Sequence, residues 1–169
     1  MDVLVVDGYN IIGDWDELKQ LKEIDLEQAR NRLIEKMAEY KAVSGYRVII
    51  IFDAYYVPGI SNAVSEYKVE IIYTKEHETA DERIEKIVTE LKNVVNQVYV
   101  ATSDYAEQRT IFGRGALRKS ARELHIELLD METEIEKSIK QHKKARKNIK
   151  IPLTDDVLEK FEKWRRGNE

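Results

Sequence analysis

Short unbroken apolar runs alternate along this chain with longer stretches whose apolar positions recur at helical spacing. Val3-Leu4-Val5-Val6 lies between Asp2 and Asp7, and Val48-Ile49-Ile50-Ile51-Phe52 lies between Arg47 and Asp53. Both runs are too short for a helix and rich in β-branched residues, the pattern of strands buried on both faces. Tyr67–Tyr73 predicts a third strand and Val98–Ala101 a fourth. Between them the period changes. Leu26, Ala29, Leu33, Met37 and Tyr40 form one helical stripe, opened by Asp25 as cap and stopped by Gly45. Ile84, Ile87, Val88 and Leu91 form another, behind a Thr79-x-x-Glu82 capping box. The polar stretch after Asp7 and residues 54–66, with Pro58 and Gly59, read as loops. The pattern then predicts a helix over Ala116–His125, a short fifth strand near Ile126–Leu129, and a long helix from Asp130 to about Asn148. Beyond Pro152 a last helix starts at Thr154 and turns Val157, Leu158, Phe161 and Trp164 toward a core.

Buried strands alternating with amphipathic helices predict an α/β fold, a three-layer sandwich around a mostly parallel sheet of about five strands. Residues 1–150 form the domain on this reading, and residues 151–169 a C-terminal helical extension packed on it. In such sheets ligands sit at the carboxyl ends of the strands. Those ends are acidic here. The first strand ends at Asp7, the second at Asp53, and the fourth runs into Asp104, while Asp81 opens the helix that precedes it. Hard oxygen donors without sulfur or imidazole suit Mg²⁺ or Mn²⁺, and gathered carboxylates need a cation to offset their repulsion. One or two such ions would activate water and stabilise the leaving oxygen of a phosphodiester. Each acid alone has a plainer reading: Asp81 complements a helix dipole, Glu82 is a cap partner, and Glu85 is a solvated face or an outer ligand.

The rest of the composition removes competitors. With no cysteine among 169 residues there is no disulfide scaffold, thiolate metal site or cysteine nucleophile. Three histidines without HExxH spacing argue against a histidine-built zinc site. No GxGxxG, GxxxxGK[ST] or GxSxG motif occurs. A receiver-type phosphotransfer domain shares the acidic strand ends but would need a lysine after a late strand, which is not evident here.

Taken in order, Asp7-Gly8-Tyr9-Asn10, Phe52-Asp53-Ala54, Thr79-Ala80-Asp81 with Ile84-Glu85, and Ala101-Thr102-Ser103-Asp104 resemble the NYN domain, a branch of the PIN-like nucleases. Gln108, Gly113-Arg114-Gly115-Ala116 and Ser120 are similar to its bacterial YacP-like subgroup. The resemblance spans residues 1 to about 150 and implies a PIN-like fold, metal-dependent RNA cleavage, and action on mRNA in association with ribosomes. It points to Asp7, Asp81 and Asp104 as the metal-binding and catalytic core. Asp53 supports that core, and Asn10 orients water, metal or phosphate. Asp81 stands where many PIN nucleases carry glutamate.

Charge is uneven along the chain. Residues 1–104 carry 12 Lys and Arg against 20 Asp and Glu, a net of −8, whereas residues 105–169 carry 16 against 12, a net of +4. Arg109 and Arg114 follow the acidic rim and would hold phosphates there; Arg118 and Arg122 fit the outer face of a helix equally well. Seven Lys and Arg with no acid lie between Lys137 and Lys150, more than a helix C-terminus needs. Lys143, Lys144, Arg146 and Lys147 are therefore expected to contact RNA or the ribosome. Tyr9, Tyr55 and Tyr56 flank strand ends, where they either stack on bases or pack loops. The start of the chain lacks the basic leader and apolar segment of a signal peptide, and no apolar run suits a membrane span, so a cytoplasmic location is expected. The competing function is a non-catalytic RNA- or ribosome-binding module.

Overall fold

The computed structural model describes residues 1–54, 63–95, 97–148 and 155–167. The chain divides into two units, Met1–Met131 and Glu132–Glu169. The first holds a six-stranded sheet in the order β3-β4-β2-β1-β5-β6. Its strands are β1 (Asp2–Asp7), β2 (Arg47–Phe52), β3 (Ala63–Glu66), β4 (Val69–Tyr73), β5 (Gln97–Ala101) and β6 (Leu117–Lys119). All pair in parallel except β3, which runs antiparallel to β4. The helices are α1 (Gly8–Asp14), α2 (Asp16–Ile24), α3 (Leu26–Ser44), α4 (Ala80–Leu91), α5 (Tyr105–Gly113), α6 (Ala121–Asn148) and α7 (Asp155–Arg165).

Alternation along β1 builds both cores. Leu4 and Val6 join α1, α2, α3 and the start of α6 on one face, through Ile11, Leu18, Leu33, Met37, Leu124 and Leu128. Val3 and Val5 join α4 and α5 on the other, through Ile84, Ile87, Val88 and Ile111. The result is the three-layer α/β sandwich with a mostly parallel sheet. The caps read from sequence form: Asp25 accepts the Glu27 N–H, Thr79 accepts the Glu82 N–H, and Gly45 closes α3 at φ 73°.

Four local readings change. The polar stretch after Asp7 is not a loop but α1 and α2, each too short to show a stripe, yet burying Ile11, Ile12 and Leu18. Residues 63–66, read as loop, form the edge strand β3. Its hairpin turns through Tyr67 and Lys68 at φ 51° and 65°, a left-handed pair usually announced by Asn or Gly. The last parallel strand is Leu117–Lys119, where a helix was expected. Ile126–Leu129 is helical instead, because Leu124, Leu128 and Met131 face the core at helical spacing while Ile126 and Leu129 are half exposed.

The second unit contains the rest of α6 and α7. Trp164, placed in a core by its spacing, is 82% exposed. The side chains of Val157, Leu158 and Phe161 lie outside the described residues.

Candidate active site

Parallel register explains why residues almost a hundred positions apart meet. Val6 pairs with Ala101, so the residues that follow them, Asp7 at the end of β1 and Thr102 just past β5, stand side by side. The chain turns into α1 at once, and only glycine allows this. A Cβ on Gly8 would stand 2.4 Å from the Phe52 ring and 3.0 Å from the Ile51 carbonyl oxygen. Gly8→Ala should therefore cost about 1–3 kcal/mol in urea unfolding, from overpacking against a buried ring. A melt unchanged from wild type would show that Phe52 can yield.

Asp7 of β1, Asp81 in the first turn of α4 and Glu107 in the first turn of α5 bring carboxylate oxygens within 4.8 Å of one another. Asp7 and Glu107 are 7% and 4% exposed, whereas Asp81 opens to solvent. The buried Thr102 hydroxyl donates to Glu107 Oε2 at 3.0 Å and stands 3.4 Å from Asp7 Oδ2. Glu107 Oε1 is buried and meets no donor. A buried anionic oxygen without a partner is costly, so this atom needs either a proton or a cation.

Electrostatics agree. Burial, reinforced by the Asp7 and Asp81 charges, pushes the Glu107 carboxyl up to about 9. Burial also raises Asp7 to about 6, against the hydrogen bonds that favour its anion. The Asp81 carboxyl is raised as well, first by desolvation and then by Asp104 and Asp53. Two buried carboxyls and a partly desolvated third, with an orphan oxygen among them, fit a hard divalent cation such as Mg²⁺ or Mn²⁺.

The other candidates surround this cluster. Asp104 caps α5: its Oδ1 accepts the N–H groups of Ala106 and Glu107 at 2.9 and 3.2 Å. Its charge still reaches Asp81. Asp53 is half-buried just beyond β2, close enough for its charge to raise Asp81 and Tyr9. Asn10 fastens two elements, with Oδ1 accepting the Ser103 N–H at 2.7 Å and its own N–H serving the Asp7 carboxylate. The Tyr9 ring packs on Phe52 at 5.1 Å, and its hydroxyl accepts from Arg30 at 3.3 Å. Tyr55 and Tyr56 lie outside the described residues.

Arg114 stands 3.9 Å from Glu85, so the two form a loose ion pair across α4 and the end of α5. Arg109 is exposed on α5. Lys143, Lys144, Arg146 and Lys147 are exposed in the last part of α6, within the second unit.

Glu107 was not singled out by sequence. Its one signal is the Asp104-x-x-Glu107 spacing, which reads as a helix cap box. Asp104 does cap the helix, but Glu107 turns away from the cap and into the cluster.

Comparison with known proteins gives consistent matches. The family model of the YacP-like NYN domain matches residues 4–166. The protein YacP of Bacillus subtilis (strain 168) is 53% identical over 168 residues, covering 99% of each chain. The crystal structure of Rae1 (YacP) from Bacillus subtilis superposes with a TM-score of 0.76 at 53% identity, over 99% of this chain and 96% of that one. That of its W164L mutant gives the same TM-score at 51% identity, with the same coverage.

Proposed function

We propose that this chain, which belongs to the YacP-like NYN domain family, is a metal-dependent endoribonuclease that cuts mRNA in association with the ribosome. The family has a PIN-like nuclease fold, which makes an RNA-directed nuclease the starting point. The observation that carries the finer reading is the Asp7–Asp81–Glu107 cluster, two of its carboxyls buried, with its unpartnered carboxylate oxygen.

Asp7, Asp81 and Glu107 would hold Mg²⁺ or Mn²⁺, with Asp53 and Asp104 adding negative field around them. When bound, the ion supplies Lewis acidity and positive charge at the scissile phosphate. Thr102 orients the Glu107 carboxylate, and Asn10 keeps the β5–α5 turn against α1 so that the acids stay in register. Its side-chain NH₂ is the group that would reach water or phosphate. Arg114 and Arg109 would bind the phosphates of the entering strand. No helix among the described residues is long and apolar enough to cross a membrane, and translated mRNA places the reaction in the cytoplasm.

The test is incubation of free and translating mRNA with Mg²⁺, Mn²⁺ or chelator, followed by end-mapping. In-line attack by water leaves a 5′-phosphate and a 3′-hydroxyl, independent of the RNA 2′-OH. Recovery of 2′,3′-cyclic phosphates would overturn the metal mechanism. Binding without turnover under every metal condition would identify a non-catalytic RNA- or ribosome-binding module, the reading that the basic end of α6 favours.

That basic end makes its own prediction. Replacing Lys143, Lys144, Arg146 and Lys147 together by alanine should weaken RNA or ribosome association by ~10-fold or more at low salt and less at high salt. Wild-type binding at low salt would reduce the segment to a solvated face.

A further inference from the structure

β6 is a three-residue edge strand, and the α5 and α6 layers part around it to leave a cleft of about 830 Å³. That volume lies in the range of small-molecule sites. Side chains alternate across the strand. Arg118 turns to the α5 side, where it donates to Gln108 at 3.1 Å. Lys119 turns to the α6 side, pairs with Glu127 at 2.8 Å and lies 5.0 Å from the centre of the Tyr99 ring.

The two walls differ in chemistry. On the α5 wall Arg109 and Arg118 are exposed, and Arg109 has no partner among the described residues. Tyr105 on the same wall is 75% exposed. On the α6 wall Glu127 is neutralised by Lys119, while the Glu123 carboxylate has no ion pair among the described residues. Tyr46 and Tyr99 stack at 5.8 Å and form the floor. Tyr46 and Lys119 cover the Tyr99 ring, whereas the exposed Tyr105 ring has no ring or cation contact among the described residues.

We propose that this cleft holds one unpaired nucleotide of the RNA substrate, with its base stacked on Tyr105, its phosphate on Arg109 and Arg118, and its edge read by Glu123. The assignment rests on the RNA-cleaving reading above and names a part of the substrate that the acidic cluster does not touch. Stacking on an exposed aromatic and guanidinium contacts to phosphate are the usual means of holding single-stranded RNA. A carboxylate on the base edge selects N–H donors. Guanine offers two adjacent ones, N1–H and N2–H₂, to a single carboxylate. Uracil offers one imino N–H between two carbonyl acceptors, which the carboxylate repels, so guanine is the preferred occupant. The cleft also adjoins the cluster. Gln108, which lines it, donates to the Thr102 carbonyl at 2.7 Å, and the Thr102 hydroxyl serves Glu107. On this reading the bound nucleotide would lie close to the bond that is cut.

The experiment measures binding of short single-stranded RNAs in chelator, by anisotropy, with an abasic site or a guanine moved along the sequence. For the wild-type protein, one position should respond, losing about tenfold in affinity when abasic. Tyr105→Ala should bind about tenfold more weakly and lose that response, while Tyr105→Phe restores it. Arg109→Ala should weaken binding at every base identity, and Glu123→Gln should remove the preference for guanine over uracil. Wild-type affinity in both Tyr105→Ala and Arg109→Ala, or an equal loss at all abasic positions, overturns the assignment. Because the assay contains no metal, it is separate from the nuclease reading. RNA held with this signature but never cut with Mn²⁺ refutes catalysis and keeps the cleft; RNA cut normally by a Tyr105→Ala protein of wild-type affinity refutes the cleft alone.

Discussion

Glu107→Gln and Asp7→Asn should each lower metal-dependent RNA cleavage at least ~100-fold, since even partners one shell beyond a metal typically cost 10–100-fold. The same substitutions should make the metal-free protein more stable. Both carboxyls are desolvated and crowded by like charges, and each stands well above its ordinary range for that reason. Asp7→Asn takes a charge out of the cluster, while an amide in place of the Glu107 carboxyl keeps that position neutral without the proton that folding must otherwise take up, and can donate to Asp7. The gain should be about 1–3 kcal/mol, read from urea unfolding in chelator. Opposite signs for activity and stability are the signature of a site that folds under strain for the sake of a ligand. A Glu107→Gln protein that cleaves RNA like wild type would leave Glu107 with a structural task alone. One that is both inactive and less stable would mean that the carboxylate supports α5.

The second large effect is a dependence of stability on pH that metal reverses. Asp7 is raised to about 6 and Glu107 to about 9, in both cases first by burial, so the native state binds these protons more tightly than the unfolded chain. Their contribution is fully present below the unfolded carboxyl range near pH 4, and it is lost as pH rises through 6 and then 9. In chelator the protein should therefore lose stability steadily between pH 5 and pH 9. Excess Mg²⁺ or Mn²⁺ should flatten or invert the slope, because the ion binds the deprotonated carboxylates of the native state alone. The ordinary carboxylate pairs do not interfere in this window. Glu17 and Glu70 are lowered, chiefly by Arg32 and Arg47, and lose their contribution only at more acidic pH. Thermal melts at several pH values, with and without metal, check the slope. A metal-free stability that rises from pH 5 to pH 9 would contradict the buried, proton-sharing pair.

The central strands and main helices were legible because their signals are local. Val3–Val6 and Val48–Phe52 are buried on both faces and so are apolar throughout; α3 and α4 carry stripes and caps within their own residues. The parallel arrangement followed from the alternation, and the position of acids at the strand ends followed from the parallel arrangement. The sandwich, the acidic rim at its carboxyl edge and the resemblance to a nuclease family could thus all be read along the chain.

What pairs with what was settled by packing. β3 depends on β4 for its existence, and its turn uses Tyr67 and Lys68 in a conformation that their types do not advertise. β6 is three residues long and becomes a strand through β5, while Ile126–Leu129 is held in α6 by the core contacts of Leu124 and Leu128. Asp104 and Glu107 are separated by less than one helical turn, yet one serves the helix end and the other faces Asp7. Sequence spacing cannot assign those duties, because both residues fit a cap box equally well. The choice is made by Thr102, which the pairing of β1 with β5 sets beside Asp7 and which draws Glu107 inward by a hydrogen bond. A pattern along the chain reports how each residue meets the average interior; the desolvation and repulsion that distinguish this cluster arise only when residues 7, 81 and 107 are brought together by the sheet.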